Sequence, residues 1–416
     1  MATARTLGLA ALLGAAVGAL AGVYLLLVRL GIDLVWDGYR PRLPGPVWLV
    51  TPAVCVAGGL VVGLLRRRHD ADTPHDLDDA LARLDADLSA PEADAGPPPL
   101  RKPTWLLRAG VLGIVSLSAG ASLGPEAPLL LLAAGVGERV ARILRLSRAE
   151  AVTISAAGAL SGLFGGPLGA VALAAEPGGR ARTVRLLGPG LVAAVTGLVA
   201  LLLVLPDGHG LRYDLPELPS GSASALLGIL GWSVVAALPG LAVGLAVALA
   251  TGPLRRLAAR ALPSPVLRAA VAGLLLGVCG AAVPLTLFSG EHEVEALVAA
   301  GAGAGALLGL ALLKIVATLS CLAGGWFGGQ IFPVVLAGMA TGLAVGALAP
   351  TAPVTALLAA SAAAAVGVVL RRPLAVVLIL LVFLPLSALV PLVVGAGAAA
   401  AVTALAGEHL PAPEHE

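Results

Sequence analysis

The sequence predicts an all-α protein that crosses a lipid bilayer many times. Three observations carry this. Hydrophobic residues fill 58% of the 416 positions and Asp, Glu, Lys and Arg only 12%, against about 25% charged residues in a soluble domain. Such a chain cannot cover a water-facing surface with polar groups, and its mean hydropathy is +0.98. Apolar runs of membrane length recur from end to end. The 54 glycines and 31 prolines lie largely within those runs, where small residues let helices approach closely and broken helices can line a site. A net charge of +2 excludes nothing by itself, and no basic cluster of nucleic-acid type is present. Cys55, Cys279 and Cys321 show no metal-ligand spacing and read as small buried hydrophobes.

The first run, Leu7–Val28, is too long for a signal-peptide core and lacks a cleavage site, so it reads as a membrane helix. Val47–Leu65 follows. From Arg66 to Pro103 the chain turns polar, acidic and Pro-rich, with Arg66, Arg67 and Arg68 at one flank and Arg101 and Lys102 at the other; basic flanks place this loop in the cytoplasm. Trp105–Ser118, Pro128–Leu144, Ala151–Ala175 and Val184–Leu205 complete a first half, residues 1–205. Asp207–Ser222 is polar with little basic excess and reads as an outer connection. The second half, residues 223–407, holds Ala223–Ala250, Val266–Phe288, Leu297–Ala323, Ile331–Ala349, Val354–Leu370 and Leu374–Leu405. Arg255, Arg256 and Arg260 mark a second cytoplasmic loop, and a polar tail (408–416) with His409 and His415 ends the chain without a soluble regulatory domain. The whole reads as a single transmembrane domain.

The halves repeat each other. Ser155-Ala156-Ala157 precedes Pro167-Leu168 as Ser361-Ala362-Ala363 precedes Pro373-Leu374, at a shift of about 206 residues. Upstream, Gly124-Pro-Glu-Ala-Pro128 and Gly329-Gln-Ile-Phe-Pro333 each open an apolar helix at nearly the same shift. Gly and Pro break a helix, and Pro suits an early helical position. A helix that starts inside a membrane aims unsatisfied N–H groups and its positive dipole end at the break, which attracts an anion without a buried cation. Glu126 therefore has two readings: a carboxylate that caps the helix, or a gate and proton carrier that competes with an anion for those N–H groups. In the second break, Gly324-Gly-Trp-Phe-Gly-Gly-Gln-Ile-Phe-Pro333, the N–H groups of Gln330, Ile331 and Phe332 are the candidates, against simple close packing through glycine.

These segments resemble the CLC family of chloride channels and chloride/proton antiporters. The family's Gly-Lys/Arg-Glu-Gly-Pro signature matches Gly124, Glu126 and Pro128, with Pro125 and Ala127 as departures. Its Gly-x-Phe-x-Pro signature is similar to Gly328-Gly-Gln-Ile-Phe-Pro333, the aromatic displaced by one place. Lys314-Ile-Val-Ala-Thr318 and Phe164-Gly-Gly-Pro-Leu168 also fit family pattern, and the resemblance runs from about Val47 to the C-terminus. It implies two inverted-topology repeats and a homodimer with one pore per subunit, lined by helix N-termini. It implies that Glu126 is the gate, and that Gly124, Ala127, Gln330, Ile331 and Phe332 surround the anion, which is substrate rather than cofactor. The family's Gly-Ser-Gly-Ile-Pro signature is replaced by Ala71-Asp-Thr-Pro-His75, where Thr73 either supplies the serine's hydroxyl or caps a helix in an ordinary cytoplasmic loop. The pore tyrosine is missing: the tyrosines are Tyr24, Tyr39 and Tyr213. The family's internal proton-relay glutamate has Glu176 as its nearest counterpart, which alternatively ends a helix at the membrane surface.

The expected function is passive or loosely proton-coupled chloride transport across the cell membrane, gated by Glu126. The alternatives are a chloride/proton or fluoride/proton antiporter, and, in another class, a non-transporting membrane scaffold or sensor. No Ser/His, paired-acid or metal constellation points to an enzyme. Glu291-His-Glu-Val-Glu295 reads as an exposed turn or a metal site, Lys314 as the partner of a helix end or of an acid, and Arg371-Arg372 as facing the cytoplasm or an anion access path.

Overall fold

A computed structural model describes residues 4–67, 77, 80–82, 102–144, 147–176, 179–206, 212–219 and 221–407. Thr73 and the polar tail lie outside the described residues, as does most of the loop between Arg66 and Pro103. The first half contains α1 (Ala4–Ile32), α2 (Val47–Arg67), α3 (Pro103–Ser118), α4 (Glu126–Leu144), α5 (Arg148–Phe164), α6 (Pro167–Ala175) and α7 (Gly179–Val204). The second contains α8 (Ala223–Ala261), α9 (Pro265–Ala282), α10 (Val294–Ala299), α11 (Ala304–Gly324), α12 (Ile331–Leu348), α13 (Val354–Leu370), α14 (Pro373–Phe383) and α15 (Leu389–Ala406). Among the described residues eight helical stretches are long and apolar enough to cross a membrane, and four further apolar helices are shorter. The chain is a multi-pass membrane protein. α2 ends on Arg66 and Arg67, and α8 has Arg260 in its last turn.

Three of the expected spans are each two helices. Ala151–Ala175 breaks at Gly165, which takes a left-handed φ of 63° and ends α5, before Pro167 opens α6. Leu297–Ala323 divides into α10 and α11, and Leu374–Leu405 divides around Pro385 into α14 and α15. The breaks follow from Gly and Pro, which end helices even where apolarity runs on.

Lipid supplies no hydrophobic drive between helices, so close packing of small residues holds the bundle together. Gly14 and Gly18 of α1 lie on Ala193 and Gly197 of α7, and Gly197 lies in turn on Gly158 of α5. Gly59 and Gly63 of α2 meet α9 at Ala269 and Val266, while Gly273 and Gly277 of α9 meet Cys55 and Pro52. Gly240 and Gly244 of α8 pack on Ser361 and Ala365 of α13. A methyl group on Gly197 would fall inside the van der Waals envelope of the Gly158 carbonyl, which is backbone and cannot turn aside. Gly197→Ala is expected to cost about 1–3 kcal/mol through overpacking, read as a lower midpoint of heat-induced loss of monodisperse protein in detergent. Gly228→Ala, where nothing lies within 4 Å, should leave that midpoint in place.

The repeat is visible as a pairing. Gly124 and Gly329 donate to each other's carbonyls, both at 2.7 Å, in an isolated antiparallel bridge. Equivalent residues of two repeats that pair antiparallel lie on a local two-fold axis. That is the arrangement expected of inverted repeats, with the axis running through the helix breaks.

Candidate functional site

Both broken helices start at this bridge. α4 begins at Glu126 and α12 at Ile331, with Gln330 as its N-cap. The first intrahelical bonds are Leu129 N–H to Pro125 O and Val334 N–H to Gln330 O, so the N–H groups ahead of them have no partner within the helix. The Glu126 side chain, fully buried, fills the space between the two starts. Its Oε1 accepts from Phe332 N–H at 3.3 Å. Its Oε2 is buried without a hydrogen-bond partner, as is Oε1 of Gln330.

Side chains at Gly124 or Gly329 would collide with the Glu126 carboxylate. Glycine is required at both positions for that reason, and the bridge forms the floor on which the carboxylate rests. Glu126 takes the place that the capping reading expects. It caps a helix N-terminus, but the helix belongs to the opposite repeat, and the N–H group it holds is one of the three expected to face an anion. Ala127 is buried beside it in the first turn of α4.

Glu176 repeats the pattern at lower burial. It stands at the end of α6, and its Oε1 and Oε2 accept from Leu374 N–H (3.3 Å) and Ala375 N–H (3.0 Å) at the start of α14. It thus ends its own helix, as one reading held, and caps a helix of the second repeat as well.

Lys314 pairs with a segment end. Its Nζ donates to the carbonyls of Leu285 (3.2 Å), Thr286 (3.4 Å), Leu287 (3.1 Å) and Phe288 (2.7 Å). Phe288, a non-glycine residue at φ 57°, donates its N–H to Gly120 O in the connection that leads to Glu126. Thr318, one turn along α11, bonds both Lys314 O (2.9 Å) and Ser122 Oγ (3.0 Å).

Two expectations about charge are corrected. Arg372 does not face the cytoplasm or an access path: it is buried and donates to Leu173 O near the end of α6, whose carbonyls need a donor. Arg66, expected to flank a solvated loop, is also buried and donates to Gly325 O at the end of α11. The segment Glu291–Glu295 is only partly the exposed turn it resembled. His292 is exposed, but Glu291 is 12% exposed, and Val294 is buried. Among the described residues no group of His, Cys, Asp or Glu is placed to hold a metal ion.

Sequence reasoning missed an aromatic cluster beside Glu126. Phe332 touches Phe164 and Phe383, with ring centroids 6.0 Å apart in each case, and Phe383 touches Tyr213 at 5.9 Å. A signal existed. The chain has only five phenylalanines, each within two residues of a Gly or Pro that breaks a helix or turns the chain.

Helix N-termini from two inverted repeats, meeting at a buried carboxylate inside an all-α membrane bundle, define a transporter of small anions. Residues 58–404 match the voltage gated chloride channel family, and the chain belongs to that family. Among curated relatives it is 30% identical over 368 residues to YfeO of Escherichia coli (strain SMS-3-5 / SECEC), named as an ion-transport protein, with 84% of this chain and 82% of that protein covered. The homologue from Escherichia fergusonii matches equally. The fold is that of a slow cyanobacterial Cl−/H+ antiporter (TM-score 0.80, 19% identity, 98% of this chain and 96% of that chain covered). It is also that of a CLC-type fluoride/proton antiporter (TM-score 0.72, 19% identity, 97% of each chain covered).

Proposed function

We propose that this chain carries chloride through a pathway that Glu126 closes, as a homodimer with one pathway per subunit and with loose or no coupling to protons. The observation that supports it is the bond from Phe332 N–H to Glu126 Oε1. The carboxylate occupies the ligand position that a permeating anion needs, so anion passage requires it to leave. Protonation weakens its hold, because a neutral carboxyl is a poorer acceptor than a carboxylate. Gly124, Ala127, Gln330 and Ile331 complete the pocket in this reading.

A second reading, obligatory chloride/proton exchange, is favoured by Glu176. A second carboxylate on a second helix N-terminus, half-buried rather than sealed, suits a group that exchanges protons with the cytoplasm. Chloride efflux from proteoliposomes, with proton flux recorded at the same time, separates the two. Loose coupling is supported if a chloride gradient drives chloride but little proton movement, and if Glu176→Gln leaves chloride flux within about twofold of wild type. A fixed proton-to-chloride ratio that Glu176→Gln abolishes establishes exchange. Fluoride outcompeting chloride in the same assay assigns the alternative anion, and failure of every halide to move rejects transport of halides altogether.

A further inference from the structure

Arg40 is a cation that the reading of Glu126 does not use, and it stands where few are expected. The connection from α1 to α2 lies at the opposite end of α2 from Arg66 and Arg67. The loop beyond those residues reads as cytoplasmic, so this connection reads as outer, and outer connections carry few Lys and Arg. It folds as a π-helical turn (Asp33–Tyr39) followed by a 3-10 turn (Arg40–Arg42). Wide turns of this kind are rare overall but common at functional sites. This one buries Trp36. Trp36 Nε1 donates to Ser118 O at 3.0 Å, and its ring lies edge-on to Phe288 with centroids 5.3 Å apart. Gly120, at φ 92°, lies against the same ring, where a side chain would strike Cζ2. The guanidinium of Arg40 sits over this fixed ring, 5.6 Å from its centroid. The indole holds the guanidinium by its face and leaves the N–H edge open. Asp33 and Asp37 stand on the same connection, yet among the described residues Arg40 has no side-chain hydrogen bond and no ion pair. The ring it rests on is tied to the segment that leads into the site. Glu126 follows Gly120 by six positions, a chain length of at most about 20 Å.

We propose that Arg40, seated on Trp36, is the outer collecting point for the transported anion and raises anion concentration at the mouth of the pathway. The inference rests on the anion-transport reading and deepens it, because it assigns the step before Glu126 moves. A guanidinium with open N–H groups donates to halides and oxyanions alike. Arg40 therefore concentrates anions without choosing among them, and choice is left to the amides beside Glu126. A charge held at a low-dielectric wall raises the local concentration of its counter-ion by about tenfold or more. The gain fades as the Debye length falls from about 10 Å at 0.1 M salt to about 3 Å at 1 M. Arg40 thus governs the chloride concentration that gives half-maximal rate, and not the maximal rate.

The test is chloride uptake by proteoliposomes of the full chain, measured against chloride concentration at two ionic strengths set with sodium gluconate. At about 0.1 M, Arg40→Gln is expected to raise half-saturating chloride by about threefold or more and to leave the maximal rate within about 1.5-fold of wild type. At about 1 M the two proteins should coincide, because the wild type loses the same advantage to screening. Nitrate should show the same ratio between variant and wild type as chloride. Arg40→Lys should fall between the two. Arg42→Gln removes the same charge from an exposed neighbour and should shift the curve much less. The proposal is overturned if Arg40→Gln matches wild type at low ionic strength, if its deficit persists at high ionic strength, if Arg42→Gln has an equal effect, or if the loss falls on the maximal rate alone. The wild type gives a second measurement that needs no variant: half-saturating chloride that stays constant between the two ionic strengths also overturns it. A wild type that moves no halide overturns the transport reading, and this inference with it.

Discussion

Replacing Glu126 with Gln should abolish the pH dependence of anion flux, and replacing it with Ala should raise flux at pH 7.5 by ten- to a hundredfold. The magnitude follows from the one bond that an anion must displace. A hydrogen bond to a charged acceptor contributes about 1.5–3 kcal/mol, and each 1.4 kcal/mol is about a factor of ten. Glutamine keeps the size of the side chain but neither ionises nor binds as a carboxylate, so flux should run at one rate from acid to alkaline pH. Alanine removes the plug. In the wild type, flux should rise as pH falls if Glu126 is the gate, because a neutral carboxyl holds Phe332 N–H more weakly than a carboxylate. The bridge between Gly124 and Gly329 uses backbone alone, so neither variant disturbs the floor of the site. Wild-type pH dependence surviving in Glu126→Gln would mean that another group gates the pathway. Flux unchanged in Glu126→Ala would mean that the carboxylate does not obstruct it.

How much of this was legible in the sequence depends on which atoms do the work. Membrane spanning follows from bulk composition, and the two helix breaks follow from Gly and Pro, residues whose backbone consequences are local. Glu126 was legible because an acid inside an apolar run has few inert explanations. Its partner was legible only as a set of three amides, since the choice of Phe332 depends on how two helices 206 residues apart cross. The divisions at Gly165 and Pro385 had clear local signals but lay within apolar runs, where hydropathy alone outweighs a single breaker. Arg66 and Arg372 were misplaced for a related reason. A cation beside a membrane helix usually means a solvated flank, yet both serve buried helix ends whose carbonyls have no sequence signature. Glu291 reads as a turn residue because nothing nearby in the chain announces that Tyr213, 78 positions earlier, covers it.

Lys314 shows the same limit in its strongest form and leads to the second large effect. Its ammonium donates to four backbone carbonyls, from the stretch Leu285–Phe288, and no side chain in that stretch predicts the meeting. Lys314→Met keeps the length and apolar stem but leaves those carbonyls without their donor inside the protein. Leaving a buried acceptor without its donor costs about 1–3 kcal/mol, and here four carbonyls lose the same donor together. The variant should therefore lose monodisperse protein in detergent at a markedly lower temperature than wild type. Its effect should also reach the gate. Phe288 N–H holds Gly120 O and Phe288 O accepts from the ammonium, so one tie to the connection before Glu126 rests on the Lys314 side chain, while the other, from Thr318 to Lys314 O and Ser122, uses the backbone of residue 314 and stays. Released, that connection should let Glu126 leave Phe332 more readily, and the surviving folded fraction should conduct faster per molecule at alkaline pH. Lys314→Arg, which retains the charge but not the compact tetrahedral donor set, should fall between the two. Thermal stability of Lys314→Met equal to wild type would show that the four carbonyls find water or other donors. Lower stability with an unchanged pH profile would confine Lys314 to holding the fold and detach it from the gate.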